Sequence, residues 1–233
     1  TMYFSGGLVP TYLLYKALGL VGNFWVMILP TCISVPYMLI ISADMASLPQ
    51  ELEESAKMYT KFPHDLVLFG CTSGSCINGV GWDKECIRQI ERASGCPGLT
   101  TSTAVLEAFQ ALGLNKTVVM TPYPEATNEA EKKFLEDNGI EVTSITGVGF
   151  NRVGEFADAS KFFLYRKAKE LKTEGAEVFF LSCMGLATME LVQILEDDLG
   201  IPVITSHQAS LWACLRHCRV YDKLPGLGKL FTI

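Results

Sequence analysis

Two cysteines stand at matching places in two segments of the chain that resemble one another. Cys71 ends the stretch Asp65-Leu-Val-Leu-Phe-Gly-Cys71, and Cys183 ends the stretch Glu177-Val-Phe-Phe-Leu-Ser-Cys183. In each stretch an acidic residue precedes a short apolar run, which is typical of a buried strand. A thiol can act as a nucleophile or, when protonated, as an acid. Because ligands of open α/β sheets bind beyond the carboxyl ends of strands, we expect both thiols at one site.

The residues around Cys71 are small and rich in hydroxyl groups. The segment Gly70-Cys-Thr-Ser-Gly-Ser75 directly follows the predicted strand. As a loop, it would offer free N–H groups and hydroxyls to a carboxylate or to a developing oxyanion. The alternative is a helix cap with a buried, inert thiol. Ser182-Cys-Met-Gly185 repeats the arrangement, and this repetition favours functional thiols at both places.

The two segments also continue alike, each with a Gly-x-Pro turn, a short strand and a helix, at Gly95–Ala104 and Gly200–Ala209. This internal repeat predicts two pseudo-symmetric lobes, with Cys71 and Cys183 on opposite sides of one cleft. Alternating strands and helices predict an α/β fold with mainly parallel sheets. The predicted strands lie at 66–69, 97–99, 117–120, 141–145, 178–181 and 203–205, and the predicted helices at 82–93, 103–112, 125–138, 157–173, 188–199 and 209–218.

Composition narrows the class of protein. The net charge of −6 over 233 residues argues against a nucleic-acid partner, which would need a basic face. Eight cysteines without a signal-peptide cleavage pattern suit a reducing compartment, so we expect a cytoplasmic protein. Cys214, His217 and Cys218 are interpreted as helix packing rather than as a metal site. The charged run Glu129–Glu136 is interpreted as an exposed helix face.

From Asp65 onward the chain resembles the aspartate/glutamate racemase superfamily, in particular maleate cis-trans isomerases and arylmalonate decarboxylases. The matching stretches are Phe69-Gly-Cys-Thr-Ser-Gly-Ser75, Thr100-Thr-Ser-Thr-Ala-Val105, Thr121-Pro-Tyr-Pro124 with Asn128, Leu181-Ser-Cys183, Pro202-Val-Ile-Thr-Ser206, Gln208-Ala-Ser-Leu-Trp212 and Gly226-Leu-Gly-Lys-Leu-Phe231. They span about three quarters of the chain. The resemblance implies the two-lobed fold of that superfamily, with the active site in the cleft.

The resemblance also implies roles for individual residues. Cys71 matches the nucleophile of the isomerases, which adds to maleate, and Cys183 matches the cysteine that donates and retrieves a proton. The implied substrate-binding residues are Thr72, Ser73, Tyr123, Asn128, Met184 and Gly185. The substrate is expected to be a small dicarboxylate, and we expect a homo-oligomer. Such chemistry needs neither a metal nor an organic cofactor, and the sequence has no Walker, Rossmann or zinc motif.

The resemblance leaves the subfamily open. The decarboxylases have glycine where Cys71 stands, so two cysteines favour isomerisation of maleate to fumarate. In contrast, Cys183-Met-Gly-Leu186 is closer to the decarboxylase loop, and His207 stands where the isomerases have asparagine. An arylmalonate decarboxylase, an amino-acid racemase-type enzyme and a non-catalytic fusion protein stay as alternatives.

The first 57 residues differ from the rest. Residues 17–43 contain no charged side chain, and a run of that length could cross a bilayer. Residues 1–57 resemble a fragment of a carbohydrate ABC transporter permease. We therefore predict a permease-like segment at 1–57, which serves as a membrane anchor or replaces the first strands, and a catalytic region at 58–233. The second lobe is expected at about 115–205. The isomerases begin with a strand that ends in a substrate-binding asparagine, and here Ile33 stands at that place.

Overall fold

Two parallel β-sheets place the carboxyl ends of their strands where the sequence predicts chemistry. The computed structural model describes residues 48–61, 64–150 and 159–233. In the smaller sheet, β1 (Val67–Phe69) pairs with β2 (Gly98–Thr100). The larger sheet has the order β4-β3-β5-β6, made of β3 (Lys116–Thr121), β4 (Glu141–Gly147), β5 (Val178–Leu181) and β6 (Val203–Thr205). All of these pairings are parallel, as predicted.

Helices connect the strands and cover the sheets. The α-helices are α1 (Leu48–Lys57), α2 (Thr72–Asn78), α3 (Trp82–Ser94), α4 (Thr101–Leu112), α5 (Glu125–Asp137), α6 (Lys161–Glu170), α7 (Val192–Leu199) and α8 (Ser206–His217). Short 3-10 helices lie at Met58–Lys61, Met189–Leu191 and Lys229–Thr232.

The repeat seen in the sequence corresponds to a repeated structural unit. Thr100 ends β2 and caps α4 by accepting the N–H of Thr103 at 3.1 Å. Thr205 ends β6 and caps α8 by accepting the N–H of Gln208 at 3.1 Å. Helices α4 and α8 pack against each other, and the Ser210 hydroxyl donates to the Thr101 hydroxyl at 3.1 Å across their contact. The strand-to-helix turns of the two lobes are therefore built alike and joined.

The core of the second lobe explains why its strands are continuous apolar runs. Val178–Leu181 are completely buried, since helices cover this parallel sheet. Around them lie the buried side chains of Val118, Met120, Leu164, Ala168, Leu186, Val192, Leu195 and Val203. A core of this kind holds the strand ends in fixed positions, which a catalytic site requires.

Several predicted elements differ from the structure, and one of them is the helix expected at 188–199, which is a 3-10 turn followed by α7. Of the two alternatives for the segment after β1, a loop or a helix cap, the structure shows the cap, since Cys71 caps a helix that begins at Thr72 and ends before Gly79. The helix expected at 157–173 is observed as Lys161–Glu170, where Ser160 caps the N-terminus by accepting the N–H of Phe163. The helix expected at 209–218 begins at Ser206, because Thr205 and Gln208 form a reciprocal capping box.

The N-terminal predictions fall mostly outside the described residues. The uncharged run 17–43 and Ile33 both lie there. Within the part of the chain that the structure describes, no helix is long and apolar enough to cross a membrane. Helix α1 packs against α3, and its Leu52 and Ala56 are buried.

Candidate active site

The predicted site residues lie at the carboxyl ends of strands from both sheets. Cys71 follows β1, Tyr123 follows β3 and Cys183 follows β5. They are neighbours, because the Ser206 hydroxyl bonds both to the side chain of Thr72, which follows Cys71, and to the N–H of Cys183. A charge on Cys71 accordingly raises the pKa of both Cys183 and Tyr123. The structure therefore brings together the two thiols and the tyrosine hydroxyl that the sequence singled out.

Cys71 occupies the N-cap position of α2 and is partly exposed. Its Sγ lies 3.7 Å from the Ser73 Oγ in the first turn of the helix. A Cβ atom added to Gly74 would lie 3.3 Å from the same sulfur, which is a tight contact. Gly74 thus leaves room for the sulfur above the start of the helix, where main-chain N–H groups have no partner within the helix.

Cys183 has a different environment, which keeps its thiol protonated. Its side chain is buried, and burial raises the pKa of the thiol to about 11. Two hydrogen bonds oppose this shift, from the Tyr123 hydroxyl and from the Gly185 N–H, which donates to Sγ at 3.1 Å. Because burial dominates, Cys183 is a neutral thiol at pH 7 and can give up a proton.

Ser206 joins the two lobes at the site, and sequence reasoning did not identify it as a site residue. Its Oγ accepts the Thr72 hydroxyl at 3.0 Å and the Cys183 N–H at 2.9 Å. Thr72 and Ser206 are both buried, so these bonds are shielded from water. The signal that could have found Ser206 is the repeat, because Ser206 begins α8 as Thr101 begins α4.

Tyr123 is held by a compact turn after β3. Its N–H donates to the Thr121 hydroxyl at 3.1 Å, and the Thr121 hydroxyl in turn donates to the Asn128 side-chain oxygen. The Asn128 amide donates to the Tyr123 carbonyl at 3.4 Å. Asn128, predicted as a substrate contact, therefore uses its amide group to hold this turn. Burial raises the pKa of Tyr123, whose hydroxyl stays neutral and can donate a hydrogen bond.

Met184 lies between the two lobes. The Ser210 Oγ lies 3.8 Å from its sulfur, and a Cβ added to Gly70 would contact its terminal methyl group at 3.8 Å. His207, next to Ser206, is largely buried, and burial lowers its pKa. Its Nδ1 has no hydrogen-bond partner among the described residues. The imidazole of His207 is therefore uncharged at neutral pH.

The described residues contain no group of three or more side chains that could bind a metal ion. The imidazole of His217 lies 3.1 Å from the Glu107 carboxylate, which accounts for its position on α8.

Comparison with known proteins identifies the group to which these residues belong. A model of the arylmalonate decarboxylase family matches residues 43–231. The chain is 31% identical to arylmalonate decarboxylase of Bordetella bronchiseptica, over 69% of this chain and 68% of that protein. It is 18% identical to maleate isomerase of Geobacillus stearothermophilus, over 84% of this chain and 80% of that protein.

Solved structures agree on the fold. A crystal structure of arylmalonate decarboxylase matches with a TM-score of 0.74 and 27% identity, covering 81% of this chain and 84% of that chain. Maleate cis-trans isomerase of Nocardia farcinica, solved as a cysteine-to-serine mutant with a covalently bound succinylcysteine intermediate, matches with a TM-score of 0.77. It is 18% identical to this chain, and the match covers 81% of this chain and 79% of that chain, so it supports the fold alone.

The predicted permease-like segment is also matched. Over 58 residues the chain is 47% identical to the polygalacturonan/rhamnogalacturonan transport system permease protein YtcP of Bacillus subtilis. The match covers 25% of this chain and 20% of that permease. The resemblance of a short segment to transporter permeases is thus confirmed, while four fifths of the permease has no counterpart in the match.

The family relatives and the structural neighbours indicate an enzyme of the maleate isomerase and arylmalonate decarboxylase group. Two parallel sheets, two cysteines after equivalent strands and a tyrosine hydroxyl bonded to Cys183 agree with that assignment. The chain belongs to the arylmalonate decarboxylase family and has its two-lobed, Asp/Glu racemase-like fold.

Proposed function

We propose that the chain is a cofactor-independent isomerase of a small dicarboxylate, most like maleate isomerase, that works through Cys71 and Cys183. The observation that carries this proposal is the presence of two coupled thiols at one site. Cys71 follows a strand of the smaller sheet and Cys183 follows a strand of the larger one, and Ser206 bonds to Thr72 beside Cys71 and to the N–H of Cys183. A charge on Cys71 also raises the pKa of Cys183. A pair of thiols can act on the two ends of a carbon–carbon double bond, which a single thiol cannot do.

The first half of the reaction forms a covalent adduct. The Cys71 thiolate adds to one alkene carbon of maleate, and the π electrons move toward the far carboxylate to give an enediolate. Cys183 then gives its proton to the other former alkene carbon, which produces a succinyl thioether. The succinylcysteine intermediate bound to the maleate isomerase of Nocardia farcinica supports such an adduct.

The second half reverses these steps after rotation about the new single bond. The Cys183 thiolate takes the proton back from the same carbon, the double bond forms again, and the C–S bond to Cys71 breaks. Fumarate leaves and both sulfurs return to their starting states. Thr72, Ser73 and the Tyr123 hydroxyl would hold a carboxylate and stabilise the enediolate through hydrogen bonds.

The test is the formation of fumarate from maleate, followed by proton NMR. We expect activity in the parent chain and its loss in Cys71→Ala and Cys183→Ser. Cys218→Ser is the matched control, because Cys218 is exposed at the end of α8, and we expect it to keep activity. Mass spectrometry of Cys183→Ser after incubation with maleate should show one covalent adduct on Cys71. A folded parent without fumarate formation would refute the assignment.

A second function is supported by the same site. Arylmalonate decarboxylation needs one acid to protonate the enediolate left after loss of CO₂, and the neutral, buried Cys183 suits that role. The identity of 31% to the Bordetella decarboxylase favours it as well. The test is CO₂ release from phenylmalonate by the parent and by Cys71→Gly.

The two substrates separate the alternatives. Fumarate formation that depends on Cys71 supports the isomerase. Decarboxylation that survives Cys71→Gly but not Cys183→Ser supports the decarboxylase. A folded chain that acts on neither substrate would favour a non-catalytic protein that carries a permease fragment.

A further inference from the structure

A buried carboxylate lies one turn along α5 from Asn128, the residue that holds the Tyr123 turn, and it has no part in the chemistry described above. Glu131 on α5 is completely buried, and neither of its carboxylate oxygens has a hydrogen-bond partner of ordinary geometry among the described residues. Glutamate is rarely buried without a partner, because burial of an unpaired charge is costly. Such an exception calls for an explanation in terms of function or protonation state.

The predicted exposed face at Glu129–Glu136 is wrong for this residue. The buried positions of α5 are Asn128, Glu131, Phe134 and Leu135, which form one stripe at helical spacing. Glu131 therefore faces the protein interior between two core positions. Its neighbours Glu129 and Lys133 are exposed.

Three groups around Glu131 sense its charge, while β4, which also packs against α5, adds only the exposed carboxylate of Glu141. These groups are Cys76 on α2, Tyr123 after β3 and Cys183 after β5, and a negative charge on Glu131 raises the pKa of each. Ser182, directly before Cys183, has a buried hydroxyl without a partner of ordinary geometry among the described residues. It is near enough to lower the pKa of Glu131, but burial dominates and raises that pKa to about 7.

The direction of this coupling decides which state of Glu131 suits the reaction. Proton donation by Cys183 leaves a thiolate, and the substrate passes through an anionic enediolate. A second negative charge behind Cys183 opposes both, because like charges in a buried site repel strongly. A neutral carboxylic acid at position 131 does not oppose them.

We propose that Glu131 is a positioning residue that acts through Cys183: protonated, it leaves the thiol able to donate its proton, and ionised, it weakens that thiol and slows the reaction. The effect of Glu131 on the reaction rate rests on the proposed function, but the coupling between the Glu131 and Cys183 side chains does not. Ser182 is the group that would turn its hydroxyl toward the carboxylate when Glu131 ionises.

The first experiment measures the coupling without turnover. The rate of alkylation of Cys183 by iodoacetamide is followed against pH by peptide mass spectrometry, in the parent chain and in Glu131→Gln. We expect the thiol of the variant to titrate at lower pH than that of the parent. Glu129→Gln is the matched control, because it removes the same charge from the exposed face of the same helix. Identical titration of Cys183 in all three proteins would overturn the proposal.

The second experiment measures kcat/KM against pH from about pH 5.5 to about pH 8.5, with whichever substrate is turned over. We expect the parent to lose roughly tenfold as Glu131 ionises, and Glu131→Gln to keep its rate across the range. A variant that shows the same fall as the parent would overturn the role, as would a folded variant that is inactive at every pH.

A third measurement covers the case in which Glu131→Gln fails to fold. Infrared spectroscopy of the parent detects the carbonyl stretch of a buried carboxylic acid, which we expect to disappear as pH rises through the pKa of Glu131. A carboxylate already ionised at pH 6 would contradict the proposal. If Cys183 and Glu131 titrate as expected but neither maleate nor phenylmalonate reacts, the proposed function fails while the coupling stands.

Discussion

The hydroxyl of Thr72 donates to the hydroxyl of Ser206 at 3.0 Å, and this bond joins the turn after β1 to the turn after β6. Ser206 also accepts the N–H of Cys183, so one side chain holds the backbone of the proton donor and a predicted substrate contact. The two lobes thus meet at a polar contact inside the site. This contact fixes how far the turn after β1, which begins at Cys71, lies from Cys183.

Removal of this contact should affect both stability and rate. Ser206→Ala leaves the Thr72 hydroxyl and the Cys183 N–H without their buried partner, which costs ~1–3 kcal/mol in the free energy of unfolding. Urea denaturation measures this loss, and we expect kcat to fall more than tenfold. Ser94→Ala is the control, since it also removes a buried serine hydroxyl, which donates to the Ile90 carbonyl at the end of α3. Equal kcat values in the two variants would show that Ser206 has only a structural role.

The turn that carries Tyr123 should not tolerate a side chain at position 147. A Cβ added to Gly147 would lie 2.4 Å from the Tyr123 carbonyl oxygen and 3.0 Å from the Asn128 amide nitrogen. Gly147→Ala should therefore displace the turn, at a cost of ~1–3 kcal/mol in stability, with a loss of activity larger than that of Thr146→Ala. Thr146 precedes it on β4 and is exposed. Thermal unfolding measures the loss of stability, and enzyme assays measure the loss of activity. A fully active Gly147→Ala would contradict the placement of Tyr123.

The Tyr123 hydroxyl should set the acidity of Cys183. Its hydrogen bond lowers the pKa of the thiol against the larger effect of burial. Tyr123→Phe removes that bond, so the pKa of Cys183 should rise above its value of about 11. Alkylation of Cys183 at a given alkaline pH should then be slower in Tyr123→Phe than in the parent. Faster alkylation would mean that the hydroxyl shields the sulfur rather than stabilising its thiolate.

Glu131 should make stability depend on pH. Its folded-state pKa of about 7 exceeds the ordinary value of 4.5, so the folded protein keeps a proton that the unfolded chain has lost. Stability is therefore highest below the ordinary value and decreases as pH rises toward 7, by about 3 kcal/mol in total. Urea denaturation near pH 5 and near pH 8 should show this loss in the parent and in Glu129→Gln, but not in Glu131→Gln. Parallel pH dependence in all three would refute it.

The sequence predicted those parts of the fold that follow from a local pattern. Apolar runs such as Val178–Leu181 identify buried strands, and the repeat around Cys71 and Cys183 identifies equivalent strand ends. Small polar residues are compatible with both a loop and a first helical turn, so the sequence alone could not decide between these two alternatives at Thr72. The start of α8 at Ser206 depends on a capping box that Thr205 and Gln208 complete.

The parts of the site that could not be predicted depend on contacts between distant segments. Ser206 reaches Thr72 only when α8 meets the other lobe, and no local pattern encodes that meeting. Glu131 was assigned to an exposed face by its charged neighbours. Its spacing of three residues from both Asn128 and Phe134 places it on the buried stripe of the helix instead, and a rule based on charge alone overlooks this spacing.

The backbone at Cys183 has a positive φ of 120°, a region that side chains other than glycine rarely adopt. Such a conformation costs ~1–3 kcal/mol and persists only where the surroundings enforce it. Glycine at this position would relieve the penalty, and serine would not, so of two inactive variants Cys183→Gly should melt at the higher temperature. This chain therefore loses part of its thermal stability, with or without substrate, to hold the Cys183 sulfur at the end of β5, where the Gly185 N–H donates to it.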